Sequence, residues 1–332
     1  MPQSMTLKII SKILEINVNL NQINQIPGPY CMSFGFDLDP LIHSIDKIGL
    51  LNSPLVVKAD NGKFDVVAGF RRILALKSLD WAEVPCRDLS DSGLSSLELF
   101  LTSFHDNLPI RRFNDVEKGM ILRGLIARMS VKKILEVYMH LLYLPAREST
   151  LDVYLRMADL DETITASFVE GKLSLPTIKA LLDMDVDSRF ETYQWINNLN
   201  LNFNQQLQFI EYTLDISIKE RRMIPEVFVD SHLVLVMEDQ KLNIPQKAKR
   251  VLGHLKSRRF PLLTRSESAF QKKIASLGLP EGVTVSCPPF FEGSDYRLQI
   301  SFKNGETLRE KIEILSALKG LEEIGDPWER NS

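Results

Sequence analysis

The residues with the most chemical potential are Gly69-Phe70-Arg71-Arg72. The run before them, Asp65-Val66-Val67-Ala68, is short and β-branched, which suits a buried strand. The run after them places apolar side chains at Ile73, Leu76 and Leu79, which suits a helix. Gly69 stands at the joint. A strand–glycine–helix joint presents backbone N–H groups at the positive end of a helix dipole. That dipole prefers acids, so two arginines on the first turn are locally unfavourable. The conflict disappears when a polyanion sits over the turn, and one reading is therefore a phosphate cradle. The other is a surface helix start with two solvated arginines. A lone Gly-x-Arg-Arg does not separate the two.

Other chemistries find less support. Histidines 43, 105, 140, 232 and 254 have no paired metal-ligand spacing, and no Ser, His and Asp residues show nucleophile-elbow spacing. Cys31, Cys86 and Cys287 are odd in number and far apart, so neither a disulfide framework nor a zinc site is expected. A reducing cytosol fits this cysteine usage. Trp81, Trp195 and Trp328 are expected in cores or interfaces.

The elements that must position the arginines can be read from periodicity. Ile16, Val18 and Leu20 alternate with asparagines, as in a half-buried strand. Asp37 or Asp39 can cap a helix with Leu38, Leu41, Ile42, Ile45 and Ile48 on its apolar face, Pro40 in its first turn and Gly49 after its end. Leu55-Val56-Val57, a turn at Asp60-Asn61-Gly62 and Phe64–Ala68 predict a hairpin. A helix over 70–80 and a strand over 83–87 complete a small α/β domain. From Leu94 to about residue 221 the pattern is helical, punctuated by Pro109, Pro145 and Pro176. Val131–Leu142 and Glu148–Leu160, joined by Leu144-Pro145-Ala146-Arg147, fit either a helix-turn-helix or an ordinary α-hairpin. The last segment reads strand, turn, strand, helix, a small β-β-α unit. The fold class expected is thus α+β, with domains at 1–93, 94–221 and 222–332.

In this order the motifs resemble the ParB family of partition proteins. Gly69-Phe70-Arg71-Arg72-Ile73-Leu74-Ala75 is similar to the family's Gly-Glu-Arg-Arg-x-x-Ala box. Upstream, Ser44-Ile45 through Gly49-Leu50 to Pro54-Leu55-Val56-Val57 resembles its Ser-Ile-x-x-x-Gly-Leu-x-x-Pro-Ile-x-Val run, with one extra residue before the proline. Downstream, Val84-Pro85 and Asp88-Leu89-Ser90-Asp91 resemble its Val-Pro-(strand)-Asp-Leu-Ser-Asp segment. Asp106-Asn107-Leu108 and Asn114-Asp115-Val116-Glu117 resemble its Glu-Asn-Leu and Asn-Pro-x-Glu box, and Glu170-Gly171-Lys172-Leu173-Ser174 with Ala180-Leu181-Leu182 its Gly-Lys-Leu-Ser stretch. The resemblance runs from residue 13 to residue 185, and several weak motifs in one order are more specific than any alone.

The resemblance implies a ParB/sulfiredoxin-like nucleotide-binding domain, a helix-turn-helix middle domain and a DNA-binding partition or regulatory protein switched by CTP and Mg²⁺. It implies that Gly69, Phe70, Arg71, Arg72, Asn107 and Arg111 hold the nucleotide. Asp106 would then serve as the catalytic carboxylate of a slow CTPase and, with Asn107, as a metal ligand. Three departures bear on this: Phe70 and Asp106 each replace a family glutamate, and Ile110 replaces the family arginine, with Arg111 one step later, about 100° further round a helix. Sulfiredoxins share the small fold, but their catalytic cysteine has no counterpart at position 70. For the middle domain the resemblance implies DNA contacts from Lys132, Lys133, Arg147, Ser149, Thr150 and Lys179, beside the acids Glu148 and Asp152. It also implies a homodimer and a partner ATPase of the partition type.

Charge is the remaining signal. The chain carries −3 overall, so global basicity does not advertise a nucleic-acid partner. Between Lys247 and Lys273, however, nine basic residues face only Glu267. That stretch reads either as a nucleic-acid-facing segment or as helices that balance acidic neighbours. No signal sequence or membrane-length apolar run is found, so no membrane partner is expected. Two other functions stay open: an NTPase or phosphotransferase on this scaffold without a DNA role, and a protein-binding adaptor that has lost nucleotide chemistry.

Overall fold

The structure, a computed structural model, describes residue 13, residues 15–288 and residues 295–324. Trp328 lies outside the described residues. The chain divides into two compact units, Met1–Asp185 and Val186–Ser332. The first contains β1 (Glu15–Asn19), α1 (Asp39–Ile48), β2 (Leu55–Lys58), β3 (Phe64–Ala68), α2 (Phe70–Ser78), β4 (Glu83–Asp88), α3 (Ser96–Asn107), α4 (Asp115–Ile126), α5 (Val131–Lys133), α6 (Met139–Leu141), α7 (Glu148–Met157), α8 (Glu162–Val169) and α9 (Leu175–Leu182). The second contains α10 (Val186–Asn198), α11 (Phe203–Glu220), α12 (Ile224–Phe228), α13 (Ser231–Glu238), α14 (Ile244–Arg259), α15 (Pro261–Ser276), β5 (Val283–Ser286), β6 (Arg297–Ile300) and α16 (Gly305–Ala317). This is the mixed α+β architecture that the pattern predicts, with a β-β-α end.

In the first unit the strand order is β1-β4-β2-β3. Strand β2 runs antiparallel to β3 and parallel to β4, and β1 runs antiparallel to β4. The continuous apolar run of β3 has a direct cause. Successive strand residues point to opposite faces, and here both faces are covered. Val66 enters a cluster with Val56, Ile73, Leu76 and Val84 under α1 and α2. Val67 enters a second cluster with Leu89, Leu99, Phe104, Ile121, Leu125 and Tyr154, built on α3, α4 and α7. The helices after residue 94 therefore complete the core of the sheet.

Local signals set the helix starts. Asp37 Oδ1 accepts from the Asp39 N–H, and Gly49 ends α1 with a φ of 76°. Ser95 with Glu98 and Asn114 with Glu117 form reciprocal capping boxes on α3 and α4. Between α5 and α6, Ile134–Tyr138 form a π-helical turn.

In the second unit, Trp195 lies 5.2 Å from Phe228, and Phe209 lies 5.6 Å from Phe228, in a three-ring stack. Lys256, Arg258 and Arg259 of the basic stretch balance acids. Arg258 bonds Glu220 at 2.7 Å and Asp230 at 3.2 Å. Arg259 bonds Glu211 at 2.8 Å and lies 2.6 Å from Asp215, and Lys256 pairs with Glu267 at 2.8 Å.

Candidate functional site

Gly69 closes β3 and caps α2 in the left-handed region, with φ 94° and ψ 22°. A side chain there would be strained, and its Cβ would stand 3.0 Å from the Arg72 guanidinium. No side chain caps the helix. The first turn of α2 therefore opens into a cavity of about 600 Å³, a size that suits a nucleotide-sized ligand.

Every residue expected to hold a nucleotide lines this cavity: Gly69, Phe70, Arg71, Arg72, Asn107 and Arg111, together with Asp106. Arg72 donates to the Asn52 carbonyl at 2.6 Å and lies 3.5 Å from an Asp106 oxygen. Arg71 donates to Glu117 Oε1 at 2.9 Å and to Ser33 Oγ at 3.3 Å, and its guanidinium lies 4.4 Å from the centre of the Phe36 ring. Arg111 reaches the site. The chain leaves α3 after Asn107 and turns before α4 begins, which brings Arg111 to the cavity wall. Its Nη1 donates to both oxygens of Glu117 at 2.6 and 2.7 Å, and its Nη2 donates to the Met32 carbonyl at 2.9 Å. Its Nε donates to Asn107 Oδ1 at 2.9 Å, while Asn107 Nδ2 donates to the Ser103 carbonyl.

Glu117 is the residue that residue-type reasoning missed as part of the site. It is 1% exposed and receives both Arg71 and Arg111. It also accepts from the backbone N–H groups of Phe34 and Asn114. The sequence offered Asn114 and Glu117 only as parts of a family motif, not as a helix cap whose carboxylate also holds two arginines. Ser33 and Phe36 carried no signal at all.

Electrostatics favour an anion. Four arginines, Arg71, Arg72, Arg87 and Arg111, line the cavity against two carboxylates, Glu15 and Asp106. Burial lowers the proton affinity of Arg71 and Arg72; the Arg111 charge adds to this for Arg71, and Glu117 opposes it. An arginine starts high enough to stay charged regardless. Burial pushes the Cys31 thiol up, so the one cysteine in the cavity stays protonated.

The residues expected to meet DNA lie apart from this cavity, on three helices. Lys132 and Lys133 belong to α5, Ser149 and Thr150 to the first turn of α7 after Arg147, and Lys179 to α9. All are exposed except half-buried Thr150. A turn through Leu142–Pro145, with Tyr143 at φ 58°, joins α6 to α7. Arg156 is committed elsewhere, to Asp183 at 2.9 Å and Asp152 at 3.7 Å. Among the described residues no helix is long and apolar enough to cross a membrane.

Comparison with known proteins was made on this background. Residues 15–100 match the family described as ParB N-terminal domain. The probable chromosome-partitioning protein ParB of Campylobacter jejuni is 30% identical over 170 residues, covering 49% of this chain and 58% of that protein. Its Chlamydia muridarum counterpart is 27% identical over 182 residues, covering 52% and 61%. The chain thus spans about three-fifths of the length of these two relatives. The nucleoid occlusion protein of Bacillus cytotoxicus is 24% identical over 252 residues, covering 74% of this chain and 82% of that protein. Among solved structures, the C-terminally truncated ParB of Caulobacter crescentus complexed to the centromeric parS site aligns at a TM-score of 0.31 and 16% identity, over 57% of this chain and 96% of that one. The same protein complexed with CTP-gamma-S aligns at 0.26 and 19%, over 53% and 97%.

Proposed function

We propose that the chain, whose residues 15–100 match the ParB N-terminal domain family, is a DNA-binding partition or regulatory protein switched by CTP at the arginine cavity. One observation carries this reading: guanidiniums from two separate segments, Arg71 and Arg72 on α2 and Arg111 before α4, converge beside a left-handed glycine on one cavity. Fixed guanidinium forks and backbone N–H groups at a helix start are the donors that a polyphosphate needs. Arg72 and Gly69 grip the phosphates from the turn. Arg71 and Arg111, both bonded to Glu117, neutralise charge beside them.

Mg²⁺, when bound, would supply charge neutralisation for the phosphates. The cavity suits it in one respect: Asp106 is 44% exposed and at the phosphate end, and Mg²⁺ is commonly held by one or two carboxylates plus phosphates. Asn107 Oδ1 is already engaged by Arg111, so Asp106 is the better metal ligand of the two. Its carboxylate is also the group that would orient a water for slow hydrolysis.

For DNA, the exposed α5–α7 helix pair and the cations Lys132, Lys133, Arg147 and Lys179 support a helix-turn-helix reading, with Ser149 and Thr150 as further phosphate donors. A homodimer, a partition-type ATPase partner and a cytoplasmic, nucleoid-associated location belong to the same proposal.

Isothermal titration with CTP, ATP, GTP and UTP in Mg²⁺ tests the nucleotide switch. CTP binding is expected, and Arg72→Ala should weaken it at least tenfold. Absence of binding by all four nucleotides would remove the switch.

A further inference from the structure

Three helices of the second unit meet on one charged cluster. Asp230 caps α13: its Oδ1 accepts from the backbone N–H groups of His232 at 2.8 Å and Leu233 at 3.4 Å. Arg258, in the last turn of α14, donates to Asp230 Oδ2 at 3.2 Å and to Glu220, at the end of α11, at 2.7 Å. His254 stands one turn before Arg258 on the same helix, and its Nε2 lies 3.3 Å from Asp230 Oδ1. That nitrogen is buried and forms no well-aligned hydrogen bond among the described residues. The exposed His232 of α13 lies over it, with ring centroids 4.3 Å apart and planes 22° from parallel. One imidazole from α13 and one from α14 thus make a stacked contact between the two helices.

What that contact contributes depends on protons. Neutral rings at this separation attract by dispersion. Two charged rings this close repel. The surroundings do not offset the repulsion. The acids that face the pair are Asp230 and Glu220; against them stand Arg258 and, 3.9 Å from Glu220, Arg222. The acids of the neighbouring helices are taken as well: Glu267 on α15 by Lys256, and Glu211 and Asp215 on α11 by Arg259. No spare negative charge therefore remains for two imidazoliums. Burial also disfavours the charged form of His254 and sets its pKa below the usual imidazole value; Asp230 opposes this shift, and the His232 and Arg258 charges reinforce it.

We propose that the His232–His254 stack is a proton-operated latch between α13 and α14, closed while both rings are neutral and opened when both are charged. It belongs to the second unit and does not rest on the nucleotide or DNA reading. Histidine is the side chain that ordinarily changes charge between pH 5 and 8. Folded His254 binds its proton less readily than the unfolded chain does. Its stabilising contribution is therefore present above the unfolded pKa of about 6.5 and is lost as pH falls below that value. The carboxylates of the cluster ordinarily titrate about two pH units lower, so they stay charged across this window. Lys247 still holds the Met237 carbonyl near the end of α13, so opening begins at the Asp230 end of the helix.

The test is amide hydrogen exchange of the full chain between pH 7.5 and 5.5, read as protection factors so that the intrinsic pH dependence of exchange cancels. The variants are His232→Gln and His254→Gln. Each removes one charge of the pair, so the test stands if either one fails to fold. In the wild type, protection of the α13 amides should fall by about tenfold over this range, while that of α10 should change by less than about threefold. Either glutamine variant should hold the α13 change under about threefold. A second readout is the imidazole proton resonance of His254. In His232→Gln its titration should move up in pH, because a neighbouring like charge has gone. Wild-type protection of α13 that does not fall, a fall as large in the glutamine variants, or a His254 titration unmoved by His232→Gln overturns the latch.

Discussion

Two guanidiniums, those of Arg71 and Arg111, meet on the single buried carboxylate of Glu117. Like charges this close repel, and only the carboxylate between them makes the arrangement stable. It also leaves the pair preorganised, since each fork is fixed before any ligand arrives. Replacing Glu117 with Gln removes the charge and sets an amide donor against two donors. Urea unfolding should show a loss of about 3–5 kcal/mol, the cost of breaking a buried pair. The side chains of Arg71 and Arg111 keep 29% and 16% exposure, which places the loss at the low end of that range. Because the freed guanidiniums then lack a counter-charge, added tripolyphosphate should raise the melting temperature of the variant more than that of the wild type. A variant as stable as the wild type would show that Glu117 does not organise the site.

At the level of elements, α4 and α7 approach closely at Gly119. A Cβ built there would lie 2.6 Å from the Tyr154 carbonyl oxygen on α7. In an exposed helix, Gly→Ala stabilises by about 1 kcal/mol. Here the clash outweighs propensity, because the neighbouring atom is backbone and cannot rotate away. Gly119→Ala should therefore destabilise by about 1–3 kcal/mol in thermal melts, with the sign deciding the matter. The same close packing carries Tyr154, whose hydroxyl donates to Asp115 at the start of α4 at 2.8 Å. The helix that bears Ser149 and Thr150 is thus anchored to the helix that bears Glu117.

Across the whole molecule, charge is distributed with different purposes. The densest basic stretch, 247–273, spends Lys256, Arg258 and Arg259 on internal acids. The Lys132 side chain is 84% exposed by comparison, with only a long 3.9 Å approach to Glu136. Counterion release makes DNA affinity fall with salt at a slope of about 0.9 per phosphate neutralised. The double substitution Lys132→Ala, Lys133→Ala should lower that slope by up to about 2 in a fluorescence-anisotropy titration at several salt concentrations. Arg258→Ala should leave the slope unchanged and lower stability instead. The reverse result would return the basic stretch to the nucleic-acid interface.

Much here is local and was legible in the residues alone. The strand–glycine–helix joint, the Asp60-Asn61-Gly62 hairpin and the Asp37 cap with Gly49 after α1 depend on backbone geometry within a few residues, so residue type and spacing determine them. Likewise the arginines and Asp106 could be named from their order along the chain. What needed the tertiary structure is long-range. Glu117 lies 46 positions from Arg71, and Glu15 lies 72 positions from Arg87, and nothing in local periodicity says that either pair meets. Packing of both sheet faces decided the first, and strand register decided the second. Both depend on the whole core forming at once, and no window of sequence contains it.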